Sequence, residues 1–137
     1  MRPQFGIDQA LGSASAWGRV LVRAGFLRPF VRVALDVHVH GVENLTGLAQ
    51  PFIVVANHAS HLDSALIYSF LPGRLSRRLS TGAAADHWFT SRTRSLLPRV
   101  LFNAFPVDRQ GRSLRPRYRG LAQQLLRAGV PLLIFPE

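Results

Sequence analysis

The sequence predicts an α/β fold: a central, mostly parallel sheet flanked by helices, with an amphipathic helical segment ahead of it. Three observations carry this. Two short charge-free apolar runs, Pro51 to Ala56 and Val130 to Phe135, read as buried strands. Helical periodicities lie between the strand candidates, at intervals that suit a parallel crossover. Gly and Pro punctuate the boundaries, as at Pro72-Gly73 and Gly129. The natural division is residues 1–36 as the helical segment and 37–137 as the α/β domain.

In chain order, residues 1–10 read as an unstructured lead. From Leu11 to Leu27, Ala14, Trp17, Val20, Leu21, Ala24 and Leu27 share one helical face, with Arg19 and Arg23 opposite. Pro29 is expected to interrupt this helix, with Phe30 to Leu35 as a second piece. The segment reads either as a helix packed on its own domain or as one lying in a membrane interface, Trp down and Arg at the headgroups. Asp36 to Gly41 alternates and reads as a strand with His38 and His40 on one face. A turn region leads to the strand at 51–56, then a helix from Ser64 to Leu71. Residues 75–84 suggest a short strand, 87–89 and 93–102 short helices, and 104–108 a strand whose Pro106 requires an edge or an end. Arg109 to Arg119 reads as a basic loop. Tyr118 to Ala128 is helical by spacing and closes on Gly129, ahead of the strand at 130–135.

Composition narrows the chemistry. The 137 residues suit one domain, and an apolar fraction of 47% excludes a disordered tail. Seventeen basic residues, all Arg, against seven acidic ones leave a charge of +10, which predicts an anionic partner such as a membrane surface, nucleic acid or a phosphorylated substrate. The absence of Cys removes disulfides, thiolate nucleophiles and Cys-ligated zinc. No stretch offers the roughly 20 apolar residues of a membrane span, and no secretory signal opens the chain.

The stretch with chemical potential is Asn57 to Asp63 (NHASHLD), where a strand turns into a helix. His58 and Asp63 are five residues apart, which on a regular helix sets them about 140° apart. They meet only if His58 lies in the turn and Asp63 in the first helical turn. Ser60 and Asp63 have capping-box spacing, so Asp63 can serve as a helix cap and His58 as a strand-end histidine bonded to backbone. The catalytic alternative is a base and its orienting carboxylate, suited to attack by a substrate hydroxyl on an activated acyl group. Zinc held by His58, His61 and Asp63, with His38 or His40, is a further reading. No Gly-x-Ser-x-Gly elbow and no Gly-rich phosphate loop is present.

Further segments bear on the choice. Asn57-His58-x-Ser60-x-x-Asp63 resembles the His-x4-Asp (HX4D) motif of the glycerolipid acyltransferases, the PlsC-like, lysophosphatidic acid acyltransferase group. The lead-in from Val39 to Leu45 and Pro51 to Asn57 is similar too. Phe105-Pro-Val-Asp-Arg109 resembles the second block, and Phe135-Pro-Glu137 the start of the third, Phe-Pro-Glu-Gly-Thr. The resemblance implies a glycerolipid-acyltransferase-like fold and acyl transfer, in phospholipid biosynthesis, from acyl-CoA or acyl carrier protein to a hydroxyl of a lysophospholipid such as lysophosphatidate. It implies His58 as general base and Asp63 as its orienter. Arg109 and Glu137 would serve the acceptor site with Asn57 and Ser60, and neither metal nor cofactor would be needed.

This sequence departs from the family's pattern in two places. Asn103-Ala104 stands where a Gly often opens the second block, and Gly-Thr does not follow Glu137. The expectation is a chain truncated at its carboxyl end and inactive as it stands, from a peripheral enzyme of the cytoplasmic face of the cell membrane. Arg109, Arg112, Arg115, Arg117 and Arg119 read as a solvated loop, as a contact for headgroups or CoA phosphates, or, least favoured, as a nucleic-acid contact, for which no recognisable motif interleaves aromatics with the basic residues. A metal-dependent hydrolase and a non-catalytic basic membrane-binding fragment are the rival functions.

Overall fold

A computed structural model describes residues 13–84, 99–107 and 120–136. Its centre is a four-stranded sheet in the order β1-β4-β2-β3, from β1 (Ile53–Val55), β2 (Ser80–Ala84), β3 (Phe105–Val107) and β4 (Leu132–Ile134). Every pairing is parallel: Val54 faces Leu133, Thr81 faces Leu133, and Ala83 faces Pro106. The α/β class read from the sequence holds. The strand-to-helix alternation is what forces it, because parallel neighbours need crossovers that bury both sheet faces.

The period-2 alternation of β4 divides the core. Leu132 joins Phe105, Leu121, Leu125 and Val130 under helix α5 (Leu121–Arg127). Leu133, on the other face, joins Leu27, Val31, Ala65, Tyr68 and Leu79 under helix α3 (Leu62–Phe70) and the N-terminal helix. Gly129, at φ +80°, ends α5 as the spacing predicts. Pro106 lies in β3, at the sheet's edge, where a missing N–H leaves no ladder bond broken. Asn103, in place of the expected Gly, takes φ +48°, a left-handed conformation that Asn tolerates better than most residues.

Several expectations are corrected. Asp36 to Gly41 is not a strand; it runs in irregular form, with Val37 packed on the core and His38 and His40 exposed. Alternation alone provides no sheet neighbour, and the described edge is taken by β1. That strand is less buried than its apolar run suggested, since Ile53 and Val55 point outward from the edge. A short helix, α4 (Gly73–Ser76), follows Pro72 directly, ahead of β2. The helix expected at 93–102 is described from residue 99 only, and 99–102 are helical; the rest of it, the helix at 87–89, the loop at 109–119 and the lead at 1–10 lie outside the described residues.

The N-terminal helix departs most. It does not stop at Pro29 but runs as α1 (Ser13–Val22), a π-helical turn (Arg23–Leu27) and α2 (Arg28–Ala34). In the π turn the Arg28 N–H donates to the Arg23 carbonyl, five residues back. The wider turn gives the Pro29 ring room and absorbs its missing N–H, which would break a regular helix. The helix is also rotated from the predicted face. Ala16, Arg19, Arg23, Leu27 and Val31 face the core, while Trp17, Leu21, Phe26 and Phe30 face outward.

Arg23 explains the rotation. Its Nε donates to the Leu101 carbonyl at 2.6 Å and its Nη1 to the Ser76 carbonyl at 2.9 Å. Its guanidinium lies 3.9 Å from the centre of the Tyr68 ring. Burial lowers Arg23 to about 10, so it stays charged at neutral pH. The fully buried Tyr68 hydroxyl, which burial pushes up to about 12, lies 2.8 Å from the Leu79 and Phe102 carbonyls and 2.9 Å from Thr81 Oγ1. One O–H donates to one carbonyl at a time, so Thr81 supplies the proton of its own contact. Tyr68→Phe keeps the packing and removes these bonds. We expect a loss of about 1–3 kcal/mol in urea unfolding with an unchanged m-value; stability equal to the parent would show the network to be dispensable.

Candidate active site

Strands β1 and β4 are parallel neighbours, so their carboxyl ends lie side by side, the usual location of ligand sites in such sheets. The ladder extends one bond further, from the Ala56 N–H to the Ile134 carbonyl at 3.2 Å. The chain then leaves the sheet at Asn57, turns, and enters α3 at Leu62. His58 therefore lies in the turn and Asp63 in the first helical turn, the one arrangement in which they can meet. His58 Nδ1 is 3.3 Å from Asp63 Oδ2.

The same carboxylate oxygen accepts the Ala59 N–H at 2.7 Å and the Ser60 N–H at 2.8 Å. Ser60 Oγ in turn accepts the Leu62 N–H at 3.1 Å, and the Asp63 N–H donates to the Ser60 carbonyl at 3.1 Å. This is capping-box chemistry, with the acid reaching back to the start of the turn. Capping and orienting, alternatives in the sequence, are thus served by one carboxylate. The Ser60 N–H is the main cause that holds the Asp63 acid below its ordinary range. Partial burial opposes it, and the Ala59 N–H and the neighbouring His58 add to it.

The imidazole is bounded on another side by Phe135, from the segment just after β4, with ring centres 4.6 Å apart and tilted by 40°. His61 approaches edge-on at 6.3 Å. Partial exposure of both side chains keeps the pair open to a substrate. With Nδ1 facing the carboxylate, Nε2 is the nitrogen left to take a proton. No metal is needed for that step.

Of the other residues singled out, Asn57 is exposed at the start of the turn, and the Ser60 hydroxyl and N–H are both engaged in it. Arg109 and Glu137 lie outside the described residues. No group of three or more His, Cys, Asp or Glu gathers at metal-binding range among the described residues. Residue-level reasoning did not find the contact of Phe135 with His58. The signal is the register: Val55 faces Ile134, so Phe135 emerges beside Ala56, two residues before the histidine. Strand adjacency of that kind is not visible in a single sequence.

Comparison with known proteins agrees with the geometry. No curated protein and no solved structure matches the chain. A family model described as Acyltransferase matches residues 36–137, which take in the His58–Asp63 pair, β1 to β4 and the Phe135 segment. With most of its length covered, the chain belongs to the acyltransferase family, of the glycerolipid type that its motifs resemble.

Proposed function

We propose that this acyltransferase moves a fatty acyl chain from acyl-CoA or acyl carrier protein to the hydroxyl of a lysophospholipid, with lysophosphatidate as the first acceptor to test. The observation that carries the proposal is the 3.3 Å approach of His58 Nδ1 to an Asp63 carboxylate that two backbone N–H groups already hold in place. A fixed carboxylate on Nδ1 keeps the proton there and leaves Nε2 as the base.

In the proposed step, Nε2 takes the acceptor's hydroxyl proton as the oxygen attacks the thioester carbonyl carbon. Asp63 stabilises the imidazolium that forms. The carbon–sulfur bond then breaks, and the imidazolium returns the proton to the departing thiolate. The products are an ester and a free thiol, with no acyl-enzyme between them. The net charge of +10 favours both phosphorylated partners, and Arg109, from the second motif block, is the residue proposed for the acceptor phosphate.

Two variants test the assignment. His58→Ala should lower acyl transfer by about 10²–10⁴ fold, the usual contribution of a general base. Its melting temperature should hardly change, because the side chain is part-exposed. Transfer at the parent rate from acyl-CoA to a panel of lysolipids would rule His58 out.

Asp63→Asn should also impair transfer, by roughly 10² fold or more, since a neutral amide can hold the wrong tautomer. Its second effect depends on pH. The Asp63 acid is depressed in the folded state, so its stabilisation is complete above the unfolded carboxylate value of ~3.9 and is lost as pH falls through the lower folded value. The parent should melt above Asp63→Asn at neutral pH, and the gap should close below the ordinary carboxylate range. A gap constant with pH would remove the ionised cap from the account.

A further inference from the structure

Asp63 and His61 reach His58 from within its own turn, whereas Phe135 comes from the far end of the domain. Its ring centre lies 4.6 Å from that of the imidazole, at a tilt of 40°. The Phe135 ring is itself anchored, because it packs on the core of Leu27, Val31, Ala65, Tyr68, Leu79 and Leu133. Its backbone follows Ile134, whose carbonyl accepts the Ala56 N–H at 3.2 Å, two residues before His58. The sheet therefore fixes the chain that presents Phe135 against the chain that presents His58.

A single polar contact does not fix an imidazole. The ring turns about its Cβ–Cγ bond in a broad torsional well. The Asp63 carboxylate restrains one corner of it, Nδ1, and at 3.3 Å that contact is at the long end of the hydrogen-bond range. Turned over, the ring would exchange Nδ1 with Cδ2 and Nε2 with Cε1, putting a carbon where the base should be. Tilted out of plane, it would keep its edge toward Asp63 and still aim Nε2 away from the acceptor hydroxyl. A carboxylate selects between the two edges but hardly resists the tilt. A flat apolar ring against the imidazole face resists it directly, and Phe has only two side-chain torsions of its own to be held.

We propose that Phe135 is a positioning residue for acyl transfer: it sets the plane of the His58 ring, Asp63 sets which edge faces inward, and together they aim Nε2. The proposal rests on the general-base reading of His58. Phe135 forms and breaks no bond in this role and acts only through the imidazole. Misplacement of a reacting atom by about 1 Å is enough to cost about a hundredfold in rate, so a restraint on one ring plane carries kinetic weight.

The test pairs kinetics with nitrogen-15 and proton NMR of the histidine side chains, assigned by comparison with His58→Ala. In the parent, the His58 ring protons should carry an upfield ring-current shift, and the nitrogens should report a proton on Nδ1. Phe135→Leu keeps apolar volume in the core and removes the flat ring. It should lose the ring-current shift, mix the two tautomers, and lower kcat by about tenfold to a hundredfold, with KM for acyl-CoA and lysophosphatidate nearly unchanged. Phe135→Tyr keeps a ring and should restore both the tautomer and the rate. Phe135→Leu added to His58→Ala should leave the residual rate where His58→Ala alone puts it, because a residue acting through the imidazole has nothing left to position. A further fall in that background would reveal a general structural defect and overturn the proposal. So would an Nδ1–H tautomer and a kcat that Phe135→Leu leaves at the parent values, or a parent without the ring-current shift. The NMR readout does not pass through catalysis. It decides whether Phe135 holds the ring even where His58→Ala transfers at the parent rate and the general-base reading falls.

Discussion

The described structure depends on a buried cation. Arg23 has no carboxylate partner among the described residues, yet it lies inside, and what makes this tolerable is geometry. Its guanidinium stacks on Tyr68 and donates to the carbonyls of Ser76 and Leu101, which close a short helix and a helical turn. Helix ends leave carbonyls that the helix cannot satisfy itself, and a planar fork on a long stem reaches two of them. The desolvation cost remains visible. Arg23 Nη2 and two nitrogens of Arg19 find no acceptor among the described residues. A contact that leaves donors orphaned earns its place through orientation more than through energy.

From that contact the rest can be followed outward. Tyr68 stands near the carboxyl end of α3 and ties it to β2 through Thr81 and to the approach to β3 through Phe102. At the other end of α3, Asp63 ties the helix to the turn after β1. Helix α3 is therefore held at both ends by polar contacts and along its length by Ala65 and Tyr68 in the core. The His58–Asp63 pair inherits this rigidity. A histidine on a loop would be loose; here the loop is folded onto a carboxylate that is itself fixed. Insertion of β4 between β1 and β2 then delivers Phe135 to the ring of His58.

The legible part of this design was the part written in local pattern. Leu132 and Leu133 alternate as a central strand must, Gly129 ends α5, and Asn57 to Asp63 carries a turn that only one geometry makes useful. The motif order pointed to the acyltransferase family, which the family match over residues 36–137 bears out. What stayed hidden was long-range. The apolar moment of residues 11–27 sends Arg outward, because a sequence shows the charge of Arg19 and Arg23 and not the carbonyls waiting for Arg23. Pro29 reads as a breaker, because nothing local announces a π turn. Asp36 to Gly41 alternates as a strand does but finds no neighbour to pair with. The contact between Phe135 and His58 likewise exists only once β1 and β4 are known to be adjacent.

The inward arginines and the outward aromatics are one fact seen from two sides. A helix has a single rotation, and in water the choice that buries Leu21, Phe26 and Phe30 would be worth about 1.5–3 kcal/mol for each large side chain it covers. The observed rotation gives that up. It gains two charge-assisted bonds and a cation–π stack, together of similar order to one or two of those side chains. The balance in water alone is therefore poor, and it improves wherever the outward face meets hydrocarbon. Arg19 and Arg23 stay in the protein and Trp17, Leu21, Phe26 and Phe30 outside it. That helix also packs on α3, which bears Asp63, so its rotation and the placement of the turn that holds His58 are set by one shared core.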